Sequence, residues 1–126
     1  MLPESHADLL TRPLFAHVGT NRPDGQPQVN PMWFEWDGQS IRLTCSTPRM
    51  KYRNVQHDPR VALSVTDPDA PYRYLEVRGV VKDIEPDPDG TFFDRLADRY
   101  GLKIGELPDR RQRVVLVIEP TAFSCQ

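Results

Sequence analysis

Asp37 and Gly38 separate two runs of strand-forming residues, and this pair constrains the fold more than any other local feature. Asp-Gly favours a tight hairpin because glycine accepts positive φ at no steric cost. The aromatic-rich run Gln28 to Trp36 is therefore expected to turn back into Ser40 to Ser46 as an antiparallel partner. By period two the first run places Val29, Pro31 and Trp33 on one face, and Met32, Phe34 and Trp36 on the other. A second turn, Arg22-Pro23-Asp24-Gly25, links this strand to an earlier one from Phe15 to Thr20.

The remaining pattern continues in short units. Glu4 to Leu10 predicts a short helix. Thr47 followed by Pro48 predicts a helix start, which would run to about His57 and stop at Asp58-Pro59. Arg60 to Thr66 reads as a strand, Asp67 to Pro71 as a loop, and Tyr72 to Ile84 as a long strand with a bulge at Gly79. A second helix is expected from about Thr91 to Tyr100, with Phe92, Phe93, Leu96, Ala97 and Tyr100 as its apolar stripe and Gly101 at its end. Arg113 to Glu119 reads as a final alternating strand. The 13 prolines sit singly between these units as punctuation rather than forming a low-complexity tract. Six hairpin-connected strands with short helices predict a mainly β fold, a closed or partly closed antiparallel barrel, in a single domain over residues 1–126.

With 38% apolar and 27% charged residues in 126, the chain can build a modest core. A net charge of −2 with mixed signs gives no global reason to expect nucleic acid or an anionic membrane as partner. Two distant cysteines, Cys45 and Cys125, form neither a disulfide framework nor a zinc motif, which fits a reducing compartment. Met1 to Asp8 is polar, and no apolar run approaches the ~20 residues of a membrane span. A cytoplasmic protein is expected. His6, His17 and His57 lack metal-ligand spacing, so no metal site is expected. No Gly-x-Ser-x-Gly elbow, GxGxxG or P-loop occurs, and Asp83, Glu85, Asp87 and Asp89 read as a solvated acidic turn.

One segment concentrates charge and hydroxyls: Thr44, Cys45, Ser46, Thr47, Pro48, Arg49, Met50, Lys51, Tyr52, Arg53, Asn54. A helix start offers free N–H groups and a positive dipole end, so it suits an anion before any side chain is added. Arg49 adds a planar fork and Lys51 a point charge, while helical geometry turns Arg53 elsewhere. The same residues equally suit a solvated basic helix start balanced by Asp58. Similarly, Val29, Pro31 and Trp33 form either an apolar floor for a planar ring or part of the core.

The order of these features adds a resemblance. The Asp24-Gly25 turn leads into Gln28-Val29-Asn30-Pro31-Met32-Trp33-Phe34. Then follow Arg49-Met50-Lys51-Tyr52-Arg53-Asn54, Asp58-Pro59-Arg60-Val61-Ala62 and Tyr72-Arg73-Tyr74-Leu75-Glu76-Val77-Arg78-Gly79. Together they resemble the pyridoxamine 5'-phosphate oxidase-like split β-barrel family, in particular its branch of flavin/deazaflavin oxidoreductases that use coenzyme F420. The resemblance implies a six-stranded split barrel that forms a homodimer with cofactor at the subunit interface. It also implies a cofactor phosphate against Thr44, Ser46, Thr47, Arg49, Lys51 and Asn54, and a ring near Asn30, Pro31, Met32 and Trp33. Many relatives carry a small hydroxyl residue and an arginine directly before the lysine, where this chain has Arg49 and Met50. The implied activity is hydride transfer between the deazaflavin and a small unsaturated or conjugated substrate. It requires no dedicated catalytic residue, and Tyr74, Arg73 or a water would supply the proton. FMN is the alternative cofactor, and a non-catalytic carrier of the cofactor or a tetrapyrrole is the alternative role. The loops Asp67 to Pro71 and Leu102 to Arg111 are expected on the substrate side.

Overall fold

A computed structural model describes residues 1–126. Seven strands are present: β1 (Ala16–Asn21), β2 (Pro27–Met32), β3 (Glu35–Trp36), β4 (Ile41–Ser46), β5 (Arg60–Thr66), β6 (Tyr74–Pro86) and β7 (Arg113–Cys125). They form one sheet in the order β2-β1-β5-β6-β7-β4-β3, with every neighbouring pair antiparallel. The outermost strands, β2 and β3, are consecutive in the chain and joined only by Trp33 and Phe34. A flat seven-stranded sheet would hold those edges far apart, so the sheet curls into a half-barrel.

The same junction accounts for seven strands rather than six. The expected run Gln28 to Trp36 is interrupted at Trp33-Phe34, where the fully buried Phe34 turns into the core. Backbone groups released from the ladder there find other partners. The Phe34 N–H donates to the Tyr100 hydroxyl at 3.1 Å, and Arg99 Nε donates to the Phe34 carbonyl at 3.0 Å. The Tyr100 hydroxyl in turn donates to the Leu14 carbonyl at 2.6 Å.

Alternation sets the core. Val61, Leu63 and Val65 of β5 and Leu75, Val77 and Val81 of β6 point inward, against Val18, Leu43, Leu116 and Ile118. Each fully buried leucine contributes about 2 kcal/mol by removal from water. β7 departs from the alternation expected of it: Val114 to Ile118 are all buried. Val114, Leu116 and Ile118 face the barrel, while Val115 and Val117 pack under Phe92 and Leu96 of the second helical layer. Gly79 does mark a bulge, with Arg78 opposite Ala122 and Gly79 opposite Pro120.

Three short α-helices accompany the sheet: α1 (Asp8–Thr11), α2 (Met50–His57) and α3 (Thr91–Arg99). The expected first helix is split into a 3₁₀ turn at Glu4–His6 and α1. α2 starts later than Thr47-Pro48 predicts, because that pair makes a turn tied to the neighbouring chain. The Thr47 N–H donates to the Gln112 carbonyl at 3.1 Å and the Arg49 N–H to the Ser46 carbonyl at 3.0 Å. Arg49 is left extended, at φ −75° and ψ 146°, as the residue before the helix. The end at Asp58 is as expected. α3 follows a correction to the acidic turn: Asp87 is buried and its carboxylate accepts from the N–H groups of Phe92 and Phe93, at 3.3 and 3.4 Å. It is a helix cap rather than a solvated side chain. No helix is long and apolar enough to cross a membrane.

Candidate cofactor site

Where β4 ends, β7 begins opposite it: Thr44 pairs with Val115, Cys45 with Val114 and Ser46 with Arg113. The chain then turns through Thr47-Pro48 into α2, which brings Arg49 and Lys51 over that strand end. The β2–β3 junction closes the other side. Between them lies a cavity of about 260 Å³ lined by Phe15, Pro31, Met32, Trp33, Thr44, Cys45, Ser46, Arg49, Lys51 and Arg113.

Its two ends differ chemically. One is apolar and aromatic. Trp33 stacks on Tyr100 with ring centroids 5.2 Å apart and 16° between planes, and packs at 6.0 Å from Phe93. Phe15 lies 6.0 Å from Tyr100 and is half exposed at the rim. Trp33 is thus held from behind by α3 and its C-terminal tyrosine, and its position does not depend on a ligand. The other end carries three cations and two hydroxyls, with no carboxylate or histidine on the wall. Arg49 and Lys51 take part in no ion pair.

Burial pushes the Lys51 ammonium below the ordinary lysine range, and the nearby Arg49 and Arg113 push it the same way. The folded chain therefore keeps cations crowded together at some cost, which an anion in the cavity would relieve. Burial raises the Cys45 thiol, against the pull of Lys51, so Cys45 is a neutral thiol here and not a nucleophile.

Seven of the ten residues expected at the site line the cavity: Pro31, Met32, Trp33, Thr44, Ser46, Arg49 and Lys51. Asn30, Thr47 and Asn54 do not. Thr47 is occupied by its backbone link to Gln112. Asn54 is fully buried and faces the sheet: its Nδ2 donates to Thr20 Oγ1 at 3.0 Å and to Gln28 Oε1 at 3.1 Å. Gln28 Nε2 then donates to Asn30 Oδ1 at 2.8 Å. Asn54 and Asn30 are the two ends of a hydrogen-bonded chain that ties α2 to β2 behind the cavity. Arg53 is exposed and off the cavity, as helical geometry predicts.

Three lining residues escaped the sequence reading. Arg113 is 62 positions beyond Lys51 and reaches the site only through strand register. Phe15 comes in from just before β1, and Cys45 sits between the expected Thr44 and Ser46. Neither candidate proton donor reaches the wall. Arg73 is held by Asp8 and Asp67 at 2.5 and 2.9 Å, and Tyr74 pairs with Thr66. A neighbouring apolar cavity of about 380 Å³, lined by Pro13, Leu14, Phe15, His17, Thr66 and Pro68, shares Phe15 with the first.

Residues 2–125 match the family model described as pyridoxamine 5'-phosphate oxidase. The chain belongs to the pyridoxamine 5'-phosphate oxidase family. A solved structure named F420 reductase is 56% identical, covering 98% of each chain, with a TM-score of 0.95. A conserved hypothetical protein from Mycobacterium tuberculosis is 26% identical over 99% of this chain and 84% of its own, with a TM-score of 0.77. General stress protein 26 from Bacillus anthracis shares the family fold at 18% identity, over 97% of this chain and 91% of its own, with a TM-score of 0.74. No curated protein matches the chain.

Proposed function

We propose that this chain is a coenzyme F420-dependent oxidoreductase that reduces a small unsaturated or conjugated substrate. The observation that carries the reading is the cavity's division into a carboxylate-free cationic end and a preformed aromatic wall. Similarity to the 56% identical F420 reductase favours the deazaflavin over FMN.

The residues present fit such a group. Arg49 and Lys51 have no competing carboxylate, so their donors are available to phosphate oxygens. Thr44 and Ser46 add hydroxyls at the strand end, and Pro31, Met32 and Trp33 provide the surface for a planar ring. When bound, the deazaflavin supplies the hydride chemistry. The protein's part is to orient and to exclude water. Trp33 is backed by its stack on Tyr100, and no carboxylate or histidine stands on the wall. The adjoining apolar cavity beside Phe15 suits an uncharged hydrophobic substrate lying against the exposed side of the ring.

A second copy of the chain completes this reading. Phe15 and Val29 are 56% and 63% exposed, on the same outer surface as Pro31 at the cavity's rim. A homodimer closing over that surface would cover an apolar face and shut the cavity from water.

The test is a pair of titrations, coenzyme F420 and FMN, each followed by its own fluorescence. Saturable quenching of F420 with no response to FMN supports the reading, and binding of FMN alone overturns the cofactor assignment. Turnover of reduced F420 with an enone panel separates an enzyme from a carrier of the cofactor.

A further inference from the structure

Arg113 is the one cation of the cavity whose geometry is already fixed. Its guanidinium lies over the Phe93 ring at 4.7 Å from the centroid. Its Nε donates to Asp109 Oδ1 at 3.2 Å, and Nη1 donates to Thr44 Oγ1 at 3.4 Å. Nη2 makes no hydrogen bond, and the side chain is only 12% exposed. A nearly buried planar cation, with one face stacked, two nitrogens engaged and the third unengaged beside a cavity, is a preorganised anion donor. Asp109, also largely covered, does not itself line the cavity.

We propose that Arg113 is a third phosphate-binding residue of the site, and that Asp109 is the positioning residue that aims it. The inference rests on the cofactor reading and adds to it a residue from the far end of the chain. Asp109 also closes the segment that follows α3, so the loop from Leu102 to Arg111 meets the cofactor end of the cavity through this carboxylate and not through its exposed Leu102 and Ile104. Arg49 and Lys51 are held by no ion pair, whereas Arg113 is stacked and paired at the start of a strand buried on both faces. The fixed donor sets where the phosphate sits, and the unpaired helix cations add to it.

A double-mutant cycle tests the assignment, with coenzyme F420 and FMN as separate fluorescence probes and thermal unfolding of each variant as a folding control. Arg113→Ala is expected to weaken the bound probe about tenfold or more, the loss of a charge-assisted bond. Asp109→Ala should weaken it as well, and Asp109→Asn, which keeps an acceptor for Nε, should restore most of the loss. Asp109 also accepts from the Ser46 hydroxyl, so the cycle is run in a Ser46→Ala background. There, once Arg113→Ala is in place, Asp109→Ala should change affinity no further, because the carboxylate then acts only through the guanidinium. Additive losses, or no rescue by asparagine, would overturn the positioning role. Arg113→Lys serves if the alanine variant does not fold, since a flexible ammonium keeps charge but loses the stacked fork. Lys51→Ala separates the two layers of argument. If it weakens binding while folded Arg113 variants do not, the assignment of Arg113 fails alone. If neither matters, the cofactor reading fails with it.

Discussion

Asn54 Nδ2 donates to Thr20 Oγ1 at 3.0 Å, which fastens the middle of α2 to β1 across 34 positions of sequence. Both groups are buried, and Asn54 Oδ1 has no partner at all. The side chain that accompanies the cation cluster in sequence is therefore a clamp behind the cavity. Asn54→Ala strands the Thr20 hydroxyl and the Gln28 carbonyl without a donor, and is expected to cost about 2 kcal/mol in chemical denaturation. Its effect on F420 affinity should be smaller than that of Lys51→Ala. Asn54→Asp should be at least as destabilising, because it removes both donors and buries a carboxylate.

Lys51 makes the site pH-dependent in a definite direction. Its folded pKa lies below the unfolded value, so between the two the unfolded chain binds more protons. Stability of the cofactor-free chain must then rise with pH through that window, up to the unfolded lysine value of about 10.4. Affinity for a phosphate-bearing ligand runs the opposite way, falling as pH rises through the depressed pKa. Lys51→Arg should hold affinity at alkaline pH where the parent loses it, as F420 titrations across pH would show. Lys51→Met should unfold about 1 kcal/mol later than the parent in the absence of ligand, the usual exchange of stability for function at a charged site.

Trp33 and Trp36 give a spectroscopic separation of wall from core. Trp33 lines the cavity, whereas Trp36 packs against the barrel interior from β3. In a Trp36→Phe variant the remaining indole emission should be quenched by bound F420, because the ring would lie against it. In Trp33→Phe the quenching should be lost while affinity falls only a few-fold, since phenylalanine keeps a flat apolar surface. Quenching that survives in Trp33→Phe would place the ring elsewhere.

Much of this arrangement is legible locally. The Asp37-Gly38 hairpin, the break at Asp58-Pro59 and the Gly79 bulge are written in residues whose backbone preferences act within a few positions. Arg49 and Lys51 announce themselves by charge density. Arg113 does not, because an arginine opening a strand is ordinary, and only the pairing of Ser46 with Arg113 brings it to the cavity. Thr47-Pro48 misled for a related reason: its capping chemistry is outweighed by the link from Thr47 to the Gln112 carbonyl, a contact across 65 positions. The buried run Val114 to Ile118 likewise reflects α3 covering one face of β7, a layer that strand alternation alone does not reveal.

Gly79 offers a test of the barrel itself. A Cβ at this position would lie 2.6 Å from the Glu119 carbonyl oxygen and 2.9 Å from Ile118 Cγ2. The first neighbour is backbone in the facing strand and cannot rotate aside. Gly79→Ala is thus expected to force β6 and β7 apart at the bulge and to lower unfolding free energy by about 2 kcal/mol, in the range of overpacked core sites. Gly105, where a Cβ meets nothing, should accept alanine without loss and serves as the control.

The outer surface of β2 and β1 decides whether the site needs a second chain. Val29 stands opposite Gly19, which stands opposite Ala62, so this row across three strands carries no polar side chain and leaves the exposed valine beside small residues. Such a row on an edge strand invites a partner, and Pro27 and Pro31, which lack donors, discourage extension of the sheet by hydrogen bonding. Face-to-face packing is then the favoured mode. Val29→Arg should convert a species of twice the chain mass into one of single mass in sedimentation equilibrium, with its secondary structure unchanged by circular dichroism. F420 affinity should fall in the same variant, because the rim at Phe15 and Pro31 would stay open to water. A single-mass species for the parent chain with undiminished F420 affinity would show instead that one chain holds the cofactor alone.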